Sequence, residues 1–128
     1  MLNDSKAKTT ILLLVADQLV RAVMREALER EGYFVQATGD LGVAVDALKE
    51  ITPDLLITRT HVANMSGHDA ARYLRSRSPR MRVLIVGGLM KDERLEYRES
   101  LEHFEVFPKP YGADQFLAKV KEVLDAPR

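Results

Sequence analysis

The chain contains no cysteine, which removes disulfides and thiolate metal sites from consideration. It has no excess charge of either sign: 19 lysines and arginines balance 19 aspartates and glutamates. A nucleic-acid-binding domain is expected to show a basic face and a high pI, so the balance argues against one. Long apolar runs are also missing. The longest, Ile11 to Ala16, falls far short of the roughly 20 residues that a membrane span needs. The opening stretch Met1 to Lys8 lacks an apolar core and does not read as a signal peptide. Gly87-Gly88 stands outside any phosphate-loop or dinucleotide-binding glycine motif. The expectation is a soluble cytoplasmic protein with neither nucleic acid nor membrane as a partner.

What is present is a regular alternation. The 128 residues suffice for one domain, long enough to bury about two thirds of its unfolded surface. Short apolar runs alternate with longer stretches of helical period, the pattern of β/α units around a parallel sheet. Ile11 to Val15 is nearly all aliphatic, as for a central strand covered on both faces. Gln18 to Arg30 predicts a helix with Leu19, Val20, Val23, Met24, Ala27 and Leu28 facing inward. Gly32 supplies its left-handed cap. Tyr33 to Ala37 predicts a strand; Leu41 to Ile51 a helix with Leu41, Val45, Leu48 and Ile51 inward; Asp54 to Thr58 the third strand. A helix from about Asp69 to Arg77 follows, then a strand over Val83 to Val86, a charged helix over Asp92 to Leu101, a strand over Glu105 to Phe107 and a helix over Ala113 to Leu124. Right-handed crossovers then give a doubly wound, three-layer α/β/α fold with five parallel strands. Residues 1–9 form a tail and 10–126 the domain.

Three segments carry a closer likeness: Ile11-Leu12-Leu13-Leu14-Val15-Ala16-Asp17, the run Pro53-Asp54-Leu55-Leu56-Ile57-Thr58-Arg59 closed by Met65-Ser66-Gly67, and Phe107-Pro108-Lys109-Pro110. Together these resemble the CheY-like receiver domain of two-component response regulators, over about Thr10 to Leu124. The resemblance implies the flavodoxin-like strand order 2-1-3-4-5. It also puts Arg59 where the family has its phosphoacceptor aspartate. An aspartate can attack phosphorus, whereas a guanidinium is a cation with no nucleophilic lone pair.

The other family positions are altered as well. Matched without gaps, Val15 and Ala16 fall on the two acids that hold Mg²⁺; with one gap, Asp17 becomes the second acid. Mg²⁺ prefers octahedral oxygen ligands, usually carboxylates and waters, and one carboxylate beside Arg59 and Lys109 suits it poorly. No metal or other cofactor is expected. Asp17 also fits a helix N-cap or an ion pair with Arg59. Such a pair gains about 4 kcal/mol of gross Coulomb energy at roughly 4 Å and an effective dielectric near 20, of which desolvation and ordering leave about 1 kcal/mol. Arg59 could instead snorkel to water from the loop edge. Lys109 matches the family lysine that contacts the phosphoryl group, and Pro110 the proline usually preceded by a cis peptide; a lysine bonding strand-end carbonyls is the alternative for Lys109. The switch hydroxyl and switch aromatic ring of the family fall on Gly87 and Val106, which supply neither.

The resemblance therefore implies a bacterial, phosphorylation-independent pseudo-receiver of phosphorelay signalling, acting as a protein-interaction module and not as an enzyme. The partners implied are a histidine kinase, an output domain, another signalling protein or a second copy. The contact face would be the family's fourth helix, fifth strand and fifth helix, with Met90, Leu95, Tyr97, Val106 and Tyr111 available for it. The alternative is a regulatory domain that binds a small anion through Arg59 and Lys109. His61, His68 and His103 lie on separate segments and are expected to face solvent.

Overall fold

Ile11, Leu12, Leu13 and Leu14 are all completely buried, which is possible only for a strand covered on both faces. In the computed structural model, which describes residues 9–87 and 112–127 and the backbone of 105–108, they form strand β1 (Thr10–Leu14). The chain continues through α1 (Gln18–Arg30), β2 (Phe34–Thr38), α2 (Leu41–Ala47) and β3 (Leu55–Arg59). A two-stranded hairpin, β4 (His61–Val62) and β5 (Met65–Ser66), leads into α3 (Gly67–Arg77). Strands β6 (Arg82–Gly87) and β7 (Glu105–Pro108) and helix α4 (Ala113–Asp125) complete the described elements; the helix expected over Asp92 to Leu101 lies outside the described residues.

The main sheet has the order β2-β1-β3-β6-β7, and every pairing in it is parallel. This is the expected 2-1-3-4-5 order, with the hairpin as an addition. Side chains alternate across the sheet. Ile11, Leu13, Leu55 and Ile57 join Met24 and Leu28 of α1 and Phe116 and Val120 of α4 in one core. Leu12, Leu14, Leu56 and Ile85 join Ala44 of α2 and Ala70, Ala71 and Leu74 of α3 in the other. At roughly 1.5–3 kcal/mol for each fully buried large aliphatic side chain, the two cores hold the layers together.

Helix α1 shows how locally the chain is specified. Asp17 caps it, its carboxylate accepting the Val20 N–H at 3.0 Å. At the other end Gly32, at φ 97°, donates to the Glu29 carbonyl at 3.0 Å, and Tyr33 donates to the Leu28 carbonyl at 3.3 Å. This pair of bonds is the Schellman motif that a glycine at this position permits. The predicted inner face was too wide, however. Val20, Met24 and Leu28 pack inward at a spacing of four, while Leu19 and Val23 are 73% and 61% exposed. Each sits one residue, about 100° of helical rotation, off the packed row.

Helix α2 is shorter than expected. It ends at Ala47, and the next turn tightens into i→i−3 bonds from Lys49 to Asp46 and Glu50 to Ala47. Helix α3 starts two residues early because Ser66 caps it, accepting the Asp69 N–H at 3.0 Å. Among the described residues no helix is long and apolar enough to cross a membrane.

Candidate functional site

Strand order reverses between β1 and β3, and an open α/β sheet leaves a crevice at the carboxyl ends of its strands at such a point. A cleft of about 380 Å³ lies there, lined by Ala16 and Asp17 after β1 and by Arg59, Thr60, His61 and Ala63 around the end of β3. Sequence-predicted positions 16, 17 and 59 thus come together. Val15 does not join them. It is fully buried in the core under α1 and α4, and its N–H donates to the Thr38 carbonyl at 3.0 Å.

Asp17 and Arg59 share the cleft without forming an ion pair. Asp17 is the N-cap of α1, and Arg59 is half-exposed at the end of β3. In register, Arg59 lies opposite Val86 of β6. A cation that sequence reasoning overlooked stands close by: Arg21 Nη1 donates to the Val15 carbonyl at 2.7 Å and to the Ala16 carbonyl at 3.4 Å. Helical side chains lean toward the helix N-terminus, so an arginine in the first turn reaches back over the end of β1; that lean was the available signal. Gly39 makes room for it, since an added Cβ would lie 2.5 Å from Arg21 Nη1.

The loop after β3 is tightly clasped. The Gly67 N–H donates to the Thr60 carbonyl at 2.7 Å, and a Cβ at Gly67 would overlap the Arg59 carbonyl oxygen. Gly67 therefore serves the close approach of the two backbone segments. Val62 anchors the hairpin in the core, and Ala63 turns it at φ 54°, in the left-handed region.

At the end of β6, Gly87 has φ 151°. A Cβ there would meet Thr60 Cγ2 at 3.2 Å and Thr60 Oγ1 at 3.4 Å. Thr60, buried, fills the space that a side chain at position 87 would need. Its hydroxyl lies 3.4 Å from His61 Nδ1. Val106 lies in β7 opposite Ile85, and Pro108 opposite Gly87. Lys109 and Pro110 lie outside the described residues, as do His103, Met90, Leu95, Tyr97 and Tyr111. His61 is exposed as expected, but His68 is half-buried at the start of α3. Among the described residues no group of three or more histidines and carboxylates could hold a metal.

The sequence model of the response regulator receiver domain matches residues 11–121. The chain belongs to the receiver-domain family. It is thus a receiver domain of two-component signalling. It is 26% identical over 96% of its length to the sensor kinase CckA of Brucella abortus (strain 2308), of which it covers 13%. It is 27% identical over 89% of its length to the response regulator MprA of Mycobacterium avium (strain 104), of which it covers 50%. The receiver domain thus spans half or less of these curated relatives. Among solved structures, the non-phosphorylated HemR receiver domain of Leptospira biflexa superposes with a TM-score of 0.80 at 24% identity, over 94% of this chain and 98% of that one. The chemotaxis protein CheY4 of Vibrio cholerae gives 0.79 at 17% identity, over 90% and 98%.

Proposed function

We propose that this receiver domain works without phosphorylation, as a protein-interaction module whose partner is a histidine kinase, an output domain or another signalling protein. The observation that carries the reading is Arg59, a cation at the end of β3 in the switch-point cleft with no partner among the described residues. Attack on phosphorus needs a carboxylate there, and approach of a phosphoryl group needs a metal to offset its charge. The surroundings support the same reading. Ala16 offers no ligand, Val15 is turned into the core, and Arg21 already occupies the carbonyls at the end of β1. A switch hydroxyl at position 87 would stand on a strained backbone and press its Cβ against Thr60. Several parts of the family's chemistry are absent together, which favours a repurposed scaffold over a single disarming change.

Intact mass after incubation with acetyl phosphate and Mg²⁺ tests this: no phosphoryl mass should appear, and labelling at Asp17 would sink the proposal. Arg59→Asp alone should also stay unlabelled. Adding Ala16→Asp should permit at most slow labelling, because position 15 faces the core and Val15→Asp would bury a carboxylate there and lower stability. Efficient labelling of Arg59→Asp by itself would mean that Asp17 serves as a metal ligand.

A second reading is supported by the same guanidinium, which has no partner among the described residues. With Thr60 and His61 beside it, Arg59 could hold a small anion in the cleft. Sulfate or phosphate should then raise the melting temperature of the parent but not of Arg59→Gln, since a ligand at a hundred times its Kd stabilises by about 2.7 kcal/mol.

A further inference from the structure

A second concavity lies away from the strand ends, between α2 and α3. It is a groove of about 840 Å³. Leu41, Val45 and Met65 line its interior, each half-buried against the core beneath. Val43 and Tyr73 also line it, and they are 50% and 42% exposed. These are two of the five large apolar side chains left exposed among the described residues. Apolar groups gathered in a concavity, and not scattered singly, mark a binding surface.

The groove is also charged on one side of the balance. Asp40, Asp46 and Asp69 are among its lining residues, and no lysine, arginine or histidine is. That gives three carboxylates in a chain whose formal net charge is zero. Little offsets them internally. Asp46 meets Lys49 at 3.5 Å, but both side chains are about three-quarters exposed, and such pairs contribute almost nothing. Asp40 uses one oxygen to cap α2 at the Val43 N–H, 3.0 Å away. Among the described residues, Asp69 makes neither a hydrogen bond nor an ion pair through its carboxylate. Nearby Arg77 is committed to Tyr73, donating to its hydroxyl at 2.8 Å. The carboxylates do not gather into a group able to hold a metal among the described residues, so the acidity is matched to a spread of positive charge and not to one cation.

We infer that the α2–α3 groove is a docking surface for a basic amphipathic helix of a protein partner. The walls of the groove are two helices, so side chains and not strand-edge backbone groups meet the occupant. That arrangement suits a helix laid in by its apolar face, with lysines or arginines on its flanks reaching the carboxylates. Complementary charge would mainly speed association and fix orientation, while the apolar contacts slow release. The inference stands whether or not the domain works without phosphorylation.

The test uses the whole chain and two fluorescent synthetic helices of matched leucine spacing, one with lysines and one with glutamates at the flanking positions. The lysine helix should bind and the glutamate helix should not. Asp69→Lys and Tyr73→Ser should each weaken the lysine helix at least tenfold. The pair Leu19→Ser and Val23→Ser, on the exposed row of α1, should leave its affinity unchanged. Amide shifts on titration should centre on Val43 and Tyr73. Failure of the lysine helix to bind, equal binding of both helices, or an equal loss from the α1 variants would each overturn the inference. The labelling experiment on position 59 reads a different atom, so either proposal can fail alone.

Discussion

Strand β3 has a charged residue at each end, Asp54 immediately before it and Arg59 as its last residue, and the fold treats them differently. Asp54 is tied on three sides. Its carboxylate accepts the Thr10 N–H at 2.8 Å, its own N–H donates to the Thr10 carbonyl, and its carbonyl accepts the Arg82 N–H at 3.0 Å. Arg82 in turn donates through its guanidinium to the Val123 carbonyl on α4. At the opposite end Arg59 and Asp17 are again an arginine and an aspartate near adjacent strands, yet they do not pair. The amino-terminal end of the sheet uses its charges to close hydrogen bonds. The carboxyl-terminal end leaves Arg59 half-exposed in a cleft, with no partner among the described residues.

The comparison can be broken most forcefully at Gly67, where the carboxyl-terminal end is packed most closely. Gly67→Ala drives a methyl into the Arg59 carbonyl, where only backbone movement relieves the overlap. It should cost about 3 kcal/mol, at the upper end for overpacking, seen as a lower urea midpoint with an unchanged slope. A smaller effect is expected at Gly87→Thr, about 2 kcal/mol, because φ 151° strains any side chain there. Adding Thr60→Ala should relieve the contact but not the backbone term. A stable Gly87→Thr variant would show that the switch position is intact. At the other end, Asp54→Ala removes a carboxylate from the Thr10 N–H and should cost about 1 kcal/mol. Asp54→Asn keeps an acceptor and should recover more than half of that loss.

Much of this was legible in the residues, for identifiable reasons. The strands were readable because both faces of the sheet are covered, so Ile11 to Leu14 had to be continuously aliphatic. Gly32 and Asp17 act on their nearest neighbours in the chain, and local signals survive in a sequence. The exposed side chains of Leu19 and Val23 were not readable, since helical period marks an apolar stripe but not which edge of it meets the sheet. Arg21 and the match between Thr60 and Gly87 were missed for a related reason. Each joins residues on different strands or loops, and only the register of β3 on β6 brings Thr60 beside Gly87. The α2–α3 groove likewise depends on two helices that no local pattern relates.

The smallest expected effect is also the sharpest test of the comparison. Arg59→Gln removes a charge that contacts no partner among the described residues, so only the packing of its aliphatic stem is at stake. Unfolding free energy should change by less than about 0.5 kcal/mol. Arg82→Gln is the matched control at the other end of the sheet. It loses the guanidinium bond to the Val123 carbonyl, by which the start of β6 holds the last turn of α4, and should cost about 1 kcal/mol. The two substitutions make the same chemical change, so any difference between them comes from position alone. If Arg59→Gln proves the more damaging, Arg59 is holding the fold together. The open cleft, and with it the case for a repurposed site, would then be lost.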